Sequence, residues 1–347
     1  MSHPPLFVFV FVSALVAVLT ACESEPDQAC NTSNDCSPAQ VCVESICTSF
    51  LPYAGEFLDD GSADVQDTSA PPLDATVGDV VAGQDIGVST KWVSVSAGPH
   101  HTCALTDSGR AACWGENNYG ELEVPTDEVF TQIGVGWSGC GLRPDKTLHC
   151  WGDSTNGMST PPEGLFSSFS LGPWTGCAVR ENGELVCWGR ALEGDPSPPA
   201  GVFTTVSTHE FGACALRESD NKAECWGRQL AGEVPNRPFA KLSVSRGHVC
   251  GLRQDGAILC WGSNAFGEAS APAGTYSDVS AGETFSCGIK KASKELRCWG
   301  LPPGSTPTGS NFAAVTSGDK HACALTTTGD LECWGEWSKA VAVPPLP

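Results

Sequence analysis

Cys323-Ala-Leu-Thr-Thr-Thr-Gly329-Asp-Leu-Glu-Cys333-Trp334-Gly335 is the stretch on which the fold is decided. Apolar and polar residues alternate on both sides of a glycine-containing turn. That period of two belongs to strands, so the stretch reads as an antiparallel hairpin. Phe312-Ala-Ala-Val315, just upstream, supplies a further strand of the same kind. Two cysteines around such a turn face each other across the hairpin. Non-hydrogen-bonded cross-strand pairs bring Cα atoms to about 4.5 to 5.5 Å, within disulfide range.

The same phrase returns seven times from residue 91 to the end of the chain. Cys-Trp-Gly occurs at Cys113, Cys150, Cys187, Cys225, Cys260, Cys298 and Cys333, at intervals of 37, 37, 38, 35, 38 and 35 residues. A partner cysteine precedes each, giving the pairs Cys103/Cys113, Cys140/Cys150, Cys177/Cys187, Cys214/Cys225, Cys250/Cys260, Cys287/Cys298 and Cys323/Cys333. One disulfide per repeat is expected. The pairs at 214/225 and 287/298 hold one extra residue, which a longer turn or a bulge would absorb.

Composition agrees with this. The 347 residues include 19 Cys, 39 Gly and 25 Pro but two Met, the profile of a turn-rich, cross-linked, strand-biased chain. Such a profile argues against helical bundles and against a reducing compartment, and so against a cytosolic enzyme. Nineteen Lys and Arg stand against 40 Asp and Glu, a net charge of −21 that repels phosphate and makes nucleic acid an unsuitable partner.

Three or four short strands cannot bury both faces of a sheet, so the repeats must stack in a line or a ring. The ring is favoured because the first and last units are as complete as the others and neither carries a polar cap. The expectation is therefore an all-β, seven-bladed β-propeller of three- to four-stranded blades. Trp114, Trp151, Trp188, Trp226, Trp261, Trp299 and Trp334 would be wedges between blades.

Val95-Ser-Ala-Gly98-Pro-His-His-Thr-Cys-Ala-Leu105-Thr-Asp-Ser-Gly109, followed by Trp114-Gly-Glu-Asn-Asn-Tyr-Gly120-Glu-Leu, resembles the regulator of chromosome condensation repeat. Trp261-Gly-Ser-Asn-Ala-Phe-Gly267-Glu and Val279-Ser-Ala-Gly282 return to it. The resemblance covers residues 91–347 and implies a seven-bladed propeller. Units this short look most like the bacterial branch that includes β-lactamase inhibitory protein II, which implies a protein-binding role with hydrolase inhibition as one version. Tyr119 and Phe266 match a position that looks structural in this family. The guanine-nucleotide exchange known in a eukaryotic member needs a partner that an exported chain does not meet.

The export reading rests on the other end. Residues 1–21 contain the apolar run Leu6–Leu19, too short for a permanent span but right for a secretory signal core. It closes in Leu19-Thr20-Ala21-Cys22, which resembles the bacterial lipobox. Cleavage would leave a lipidated Cys22 at the mature N-terminus, although MSHPP carries no Lys or Arg before the run. Glu23 in place of Asp implies transfer to the outer membrane, on its periplasmic side or at the cell surface. Residues 22–29 form the anchored N-terminus and residues 30–47 a small module whose Cys30, Cys36, Cys42 and Cys47 form two disulfides, in any of three connectivities. Residues 48–90 carry eight acids and no Lys or Arg, the composition of an extended, disordered tether.

No catalytic constellation, metal-ligand set or cofactor motif stands out. His101, His248 and His321 occupy one repeat position, two before the first Cys, and are structural by that equivalence. Departures from the shared phrase say more, because the blade does not require them. Three residues before the first Cys stand His100, Trp137, Trp174, Phe211, Gly247, Thr284 and Lys320. His100, Trp137, Trp174 and Phe211 are the candidate binding residues, expected to stand exposed and adjacent on one face unless they pack between blades. The chain is read as a non-enzymatic, membrane-anchored extracytoplasmic binding protein with an unidentified protein partner. A lectin-like propeller that stacks glycan on Trp137 and Trp174 is the second reading.

Overall fold

The computed structural model describes residues 40–43, 46–49, 91–190, 197–227, 234–336 and 342–347. The signal segment, Cys22, Cys30, Cys36 and the acidic linker 50–90 lie outside the described residues. Of the small module, the antiparallel strands Gln40–Val43 and Ile46–Ser49 are described, and their register sets Cys42 opposite Cys47. This hairpin falls in the first of two units, Met1–Gly78, and the blades fall in the second, Asp79–Pro347.

Among the described residues the second unit is all-β apart from one 3-10 turn, Thr155–Gly157, and carries seven sheets of three strands each. Three is thus the number within the range expected from sequence. Blade 1 consists of Trp92–Ala97, His101–Thr106 and Ala111–Gly115, paired antiparallel in chain order, and the other six repeat this plan through Phe312–Ser317, His321–Thr326 and Leu331–Gly335 in blade 7. The second and third strands form the hairpin that bears the cysteines.

Cys103–Cys113, Cys140–Cys150, Cys177–Cys187, Cys214–Cys225, Cys250–Cys260, Cys287–Cys298 and Cys323–Cys333 are disulfides, with Cα atoms 4.0 to 4.1 Å apart. The extra residue in blades 4 and 6 goes into the turn. There Asn221 N donates to Arg217 O and Lys294 N to Lys290 O, while the cysteine register stays the same.

Each junction between blades owns one apolar cluster. Cys103 and Leu105 of blade 1 pack with Phe130, Ile133 and Trp151 of blade 2. Leu325 and Cys333 of blade 7 pack with Trp92, Ala104 and Trp114 of blade 1, which closes the ring. The Cys-Trp-Gly tryptophans are the expected wedges: five are buried, and Trp188 and Trp261 are half-buried.

Two backbone devices run round the ring. Seven buried aromatics open the blades: Trp92, Phe166, Phe203, Tyr276 and Phe312 begin the first strand, and Phe130 and Phe239 stand two residues before it. Each donates its N–H to the turn of the preceding blade, for instance Phe130 to Gly109 O at 2.8 Å, Phe239 to Asn221 O at 2.8 Å and, across the closure, Trp92 to Gly329 O at 3.1 Å. The accepting residues have positive φ, including the non-glycine Lys146, Asn221 and Lys294, so the turn aims its carbonyl at the neighbour.

Nearer the axis, the first strand is a sheet edge with unpaired N–H groups. Hydroxyls of the preceding blade accept them: Ser170 from Thr208 N at 3.0 Å, Ser207 from Val244 N at 3.0 Å, Ser243 from Ala281 N at 2.9 Å, Ser280 from Ser317 N at 2.9 Å and Thr316 from Ala97 N at 3.1 Å. The last of these joins blade 7 to blade 1.

His101, His248 and His321 are buried, as their repeat position implied. His321 Nε2 meets Thr102 Oγ1 at 2.7 Å across the closing junction, and His248 Nε2 meets Ser286 Oγ at 2.7 Å between blades 5 and 6. Burial pushes the pKa of His101 down to about 3 and those of His248 and His321 down to about 4. These rings are neutral in the fold and take up protons when it opens. The stability they contribute is complete above pH 6.5 and is lost as pH falls toward 4. Urea unfolding should accordingly show a loss on the order of a few kcal/mol between pH 7 and pH 4.5. An unchanged midpoint would contradict neutral, buried imidazoles.

Candidate binding face

The candidate residues sit at the tips of the loops joining the first and second strands. At these loops the strands converge on the axis. A Cβ on Gly136 would lie 2.0 Å from Gly172 O, and one on Gly318 would lie 2.1 Å from Gly98 O, so nothing larger than hydrogen fits. Short bonds close the loops, such as Gly136 N to Ser138 O and Gly172 N to Thr175 O, both at 2.8 Å. The tip side chains vary around the ring.

Trp137 and Trp174 stack, with centroids 5.1 Å apart and planes 17° from parallel. His100 meets Trp137 edge-on at 5.0 Å. Phe211 holds the Arg246 guanidinium over its ring at 5.6 Å. Thus three of the four candidates touch in one row, and the fourth pairs with a cation from the next blade. All four are half-buried, where the sequence expectation was substantial exposure. The difference arises because neighbouring tips are close enough for each ring to cover part of the next. None of the four belongs to an inter-blade core cluster.

The charged half of this face was not singled out from sequence. Arg246 Nη1 donates to Glu283 Oε1 at 2.9 Å, and its Nε lies 3.5 Å from Glu210 Oε2. Across the channel mouth, His209 Nε2 of blade 4 lies 3.5 Å from Asp319 Oδ1 of blade 7. Burial raises the Asp319 carboxyl, but the hydrogen bond and positive field of His209 outweigh it and hold the pKa below the usual value. A signal was available four residues before the first Cys, where Pro99, Gly136 and Pro173 give way to Glu210, Arg246, Glu283 and Asp319. Small residues accompany His100, Trp137 and Trp174, and charges take over from blade 4 onward.

Beneath this face runs an axial cavity of about 120 Å³, lined by all seven first strands and including Ser96, Thr208, Ser243, Ser280 and Thr316. Among the described residues no group of three His, Cys, Asp or Glu side chains is arranged to hold a metal.

Tyr119 and Phe266 correct one expectation. The two residues are 60% and 55% exposed, so the side chain is not the structural element. The backbone is: Tyr119 N donates to buried Glu121 Oε2 and Phe266 N to buried Glu268 Oε2, both at 2.7 Å. The carbonyls of these same glutamates accept the indole N–H of the next blade's tryptophan, Trp151 at 3.0 Å and Trp299 at 2.8 Å. The Gly-Glu of the connecting loop therefore clamps one blade to the next.

Residues 92–121, 239–268 and 312–336 match the regulator of chromosome condensation (RCC1) repeat. The first two segments each include a Gly-Glu loop, Gly120-Glu121 and Gly267-Glu268. Over 31% of its length the chain is 30% identical to the serine/threonine-protein kinase-like protein CCR4 of Arabidopsis thaliana. The chain spans about a fifth of that relative, the matched share being 20%. Its fold is similar to the CRINKLY WD40 ectodomain of the Arabidopsis thaliana receptor kinase ACR4, with a TM-score of 0.64 and 25% identity over 74% of this chain and 99% of that one. Prp20p from Saccharomyces cerevisiae, whose binding to Gsp1p and histones has been described, shares the fold with a TM-score of 0.57 and 15% identity over 67% of this chain and 82% of that one.

Because the rings lie outside the seven core clusters, replacing Trp137 and Trp174 together by Ala should cost less than the roughly 3 to 5 kcal/mol per residue of a core aromatic truncation. Thermal unfolding of the double variant checks this. A loss of core size would make the row part of the scaffold rather than a surface.

Proposed function

We propose that the protein is an exported, lipid-anchored, non-enzymatic binding protein that recognises a protein partner through this loop face. The observation that carries the reading is the His100–Trp137–Trp174 row, continued by the Phe211–Arg246 pair, on tips that the blade does not constrain. Half-buried rings held by one another are already ordered, so a partner that covers them gains apolar contact at little entropic cost. Seven disulfides support an oxidising compartment. The likeness to a receptor-kinase ectodomain over nearly its whole length is in keeping with that address. Cys22 would hold the chain at the outer membrane, and the acidic tether would keep the propeller clear of anionic head groups. Inhibition of an exported hydrolase is the concrete version that the short-repeat resemblance suggests.

A glycan partner is the weaker reading, because mutual stacking of Trp137 and Trp174 occupies one face of each platform that a sugar ring would use.

A photoreactive residue in place of Trp137 in the full chain should give discrete protein adducts at the envelope. The same residue at Asp255, in a turn at the opposite end of its blade, should not. Cys22→Ser should release the protein from the membrane. Equal labelling at both positions, or none at Trp137, would contradict recognition by this face, and a glycan-array signal lost in Trp137→Ala would replace the protein reading with the lectin one.

A further inference from the structure

The stretch after blade 7 reads like a connection to one more blade. After blades 1 and 5 an aliphatic residue and a proline, Val124-Pro125 and Ala271-Pro272, stand nine positions past the glycine of Cys-Trp-Gly. Val343-Pro344 stands eight positions past Gly335.

The structure repeats the likeness where a connection leaves its blade and again where it arrives at the next. On leaving, the residue after that glycine donates its N–H to the carbonyl of the tip residue, Glu116 to His100 O at 3.2 Å, Ser263 to Gly247 O at 2.8 Å and Leu301 to Thr284 O at 2.9 Å. Glu336 N donates to Lys320 O at 3.0 Å in the same way. On arrival, the aliphatic residue is packed on the junction cluster: Val124 on that of Phe130 and Trp151, and Ala271 on that of Tyr276 and Trp299. Val343 is packed on the cluster of Trp92, Trp114 and Leu325, which is the junction between blades 7 and 1. It is half-buried there, while Ala342 and Pro345 on either side are exposed.

We infer that residues 342–347 clasp the ring, holding its closing junction shut from the place that a connecting loop takes at other junctions. That junction has a particular need of one. The other six neighbouring pairs of blades are consecutive in the chain, so a covalent connection keeps each pair close together and lowers the entropic cost of packing them. Blades 7 and 1 are not consecutive and have no such tie. A connection elsewhere runs on into the blade it covers, whereas Val343 lies on a junction with a blade that precedes it in sequence, so contacts alone hold the clasp in place. The device is a loop laid over the seam, and its effect is felt at Trp92 and Trp114.

Urea unfolding of the full chain and its variants tests this. Val343→Ala should raise the unfolding equilibrium constant about fourfold, as for two half-buried methyl groups, and a chain ending at Val341 should raise it about tenfold. If the segment acts through the closing seam, the effect of Val343→Ala should fall below about twofold in a Trp114→Phe background and stay about fourfold in a Trp261→Phe background, because only contacting residues couple. An unchanged constant in both Val343→Ala and the shortened chain would show a segment that rests on the ring without holding it. An effect of Val343→Ala that is undiminished by Trp114→Phe, or diminished equally by Trp261→Phe, would show general destabilisation. Either result overturns the clasp.

Discussion

Every blade relies on its neighbour to cover an apolar face that it cannot cover itself. A sheet of three strands, each four to seven residues long, has two sides, and the side bearing the disulfide is closed only when the next blade's opening aromatic and Cys-Trp-Gly indole are laid on it. The constraint is cyclic. Seven such contacts must close on themselves, and the seventh, between Leu325 and Cys333 of blade 7 and Trp92 and Trp114 of blade 1, is built like the rest. Among the described residues no strand is exchanged between the two ends of the ring. Closure depends on apolar packing, the Trp92 N–H bond to the Gly329 turn, the Thr316 hydroxyl and the buried His321–Thr102 pair.

Placing the disulfides inside these clusters makes them more than loop staples. Each one fixes the hairpin whose face is the template for the next blade, so local order and ring assembly are coupled. The candidate loops benefit from this rigidity. Their tips leave a frame crowded enough at Gly136 and Gly318 to exclude even a methyl group, while the tip residues beyond, such as Trp137 and Lys320, change around the ring.

The fold was legible because each structural role recurs at a fixed place: Cys103 with Cys113, Trp114 and Trp92 each have six counterparts. The candidate face was legible only in part. Comparison of equivalent positions found His100, Trp137, Trp174 and Phe211, because a departure from a repeat stands out against six other copies. Their half-buried state was not legible, since it depends on how closely neighbouring tips approach at the ring's radius. Arg246 and Glu283 were missed for a related reason. Their meaning lies in contacts between adjacent blades, Arg246 over Phe211 and Glu283 on Arg246, and a single repeat carries no sign of either. Tyr119 shows the opposite error: a recurrent aromatic looks structural, yet its amide and the following Glu121 hold the loop while the ring faces water.

Native-state hydrogen exchange of the opening-aromatic amides tests the closed, equivalent ring most directly. If all seven junctions are alike, the Trp92 amide should be protected like that of Phe239 and both should exchange only on global unfolding. A Trp92 amide that exchanges about a hundredfold faster, by opening at the blade 7 to blade 1 junction alone, would contradict the ring as described.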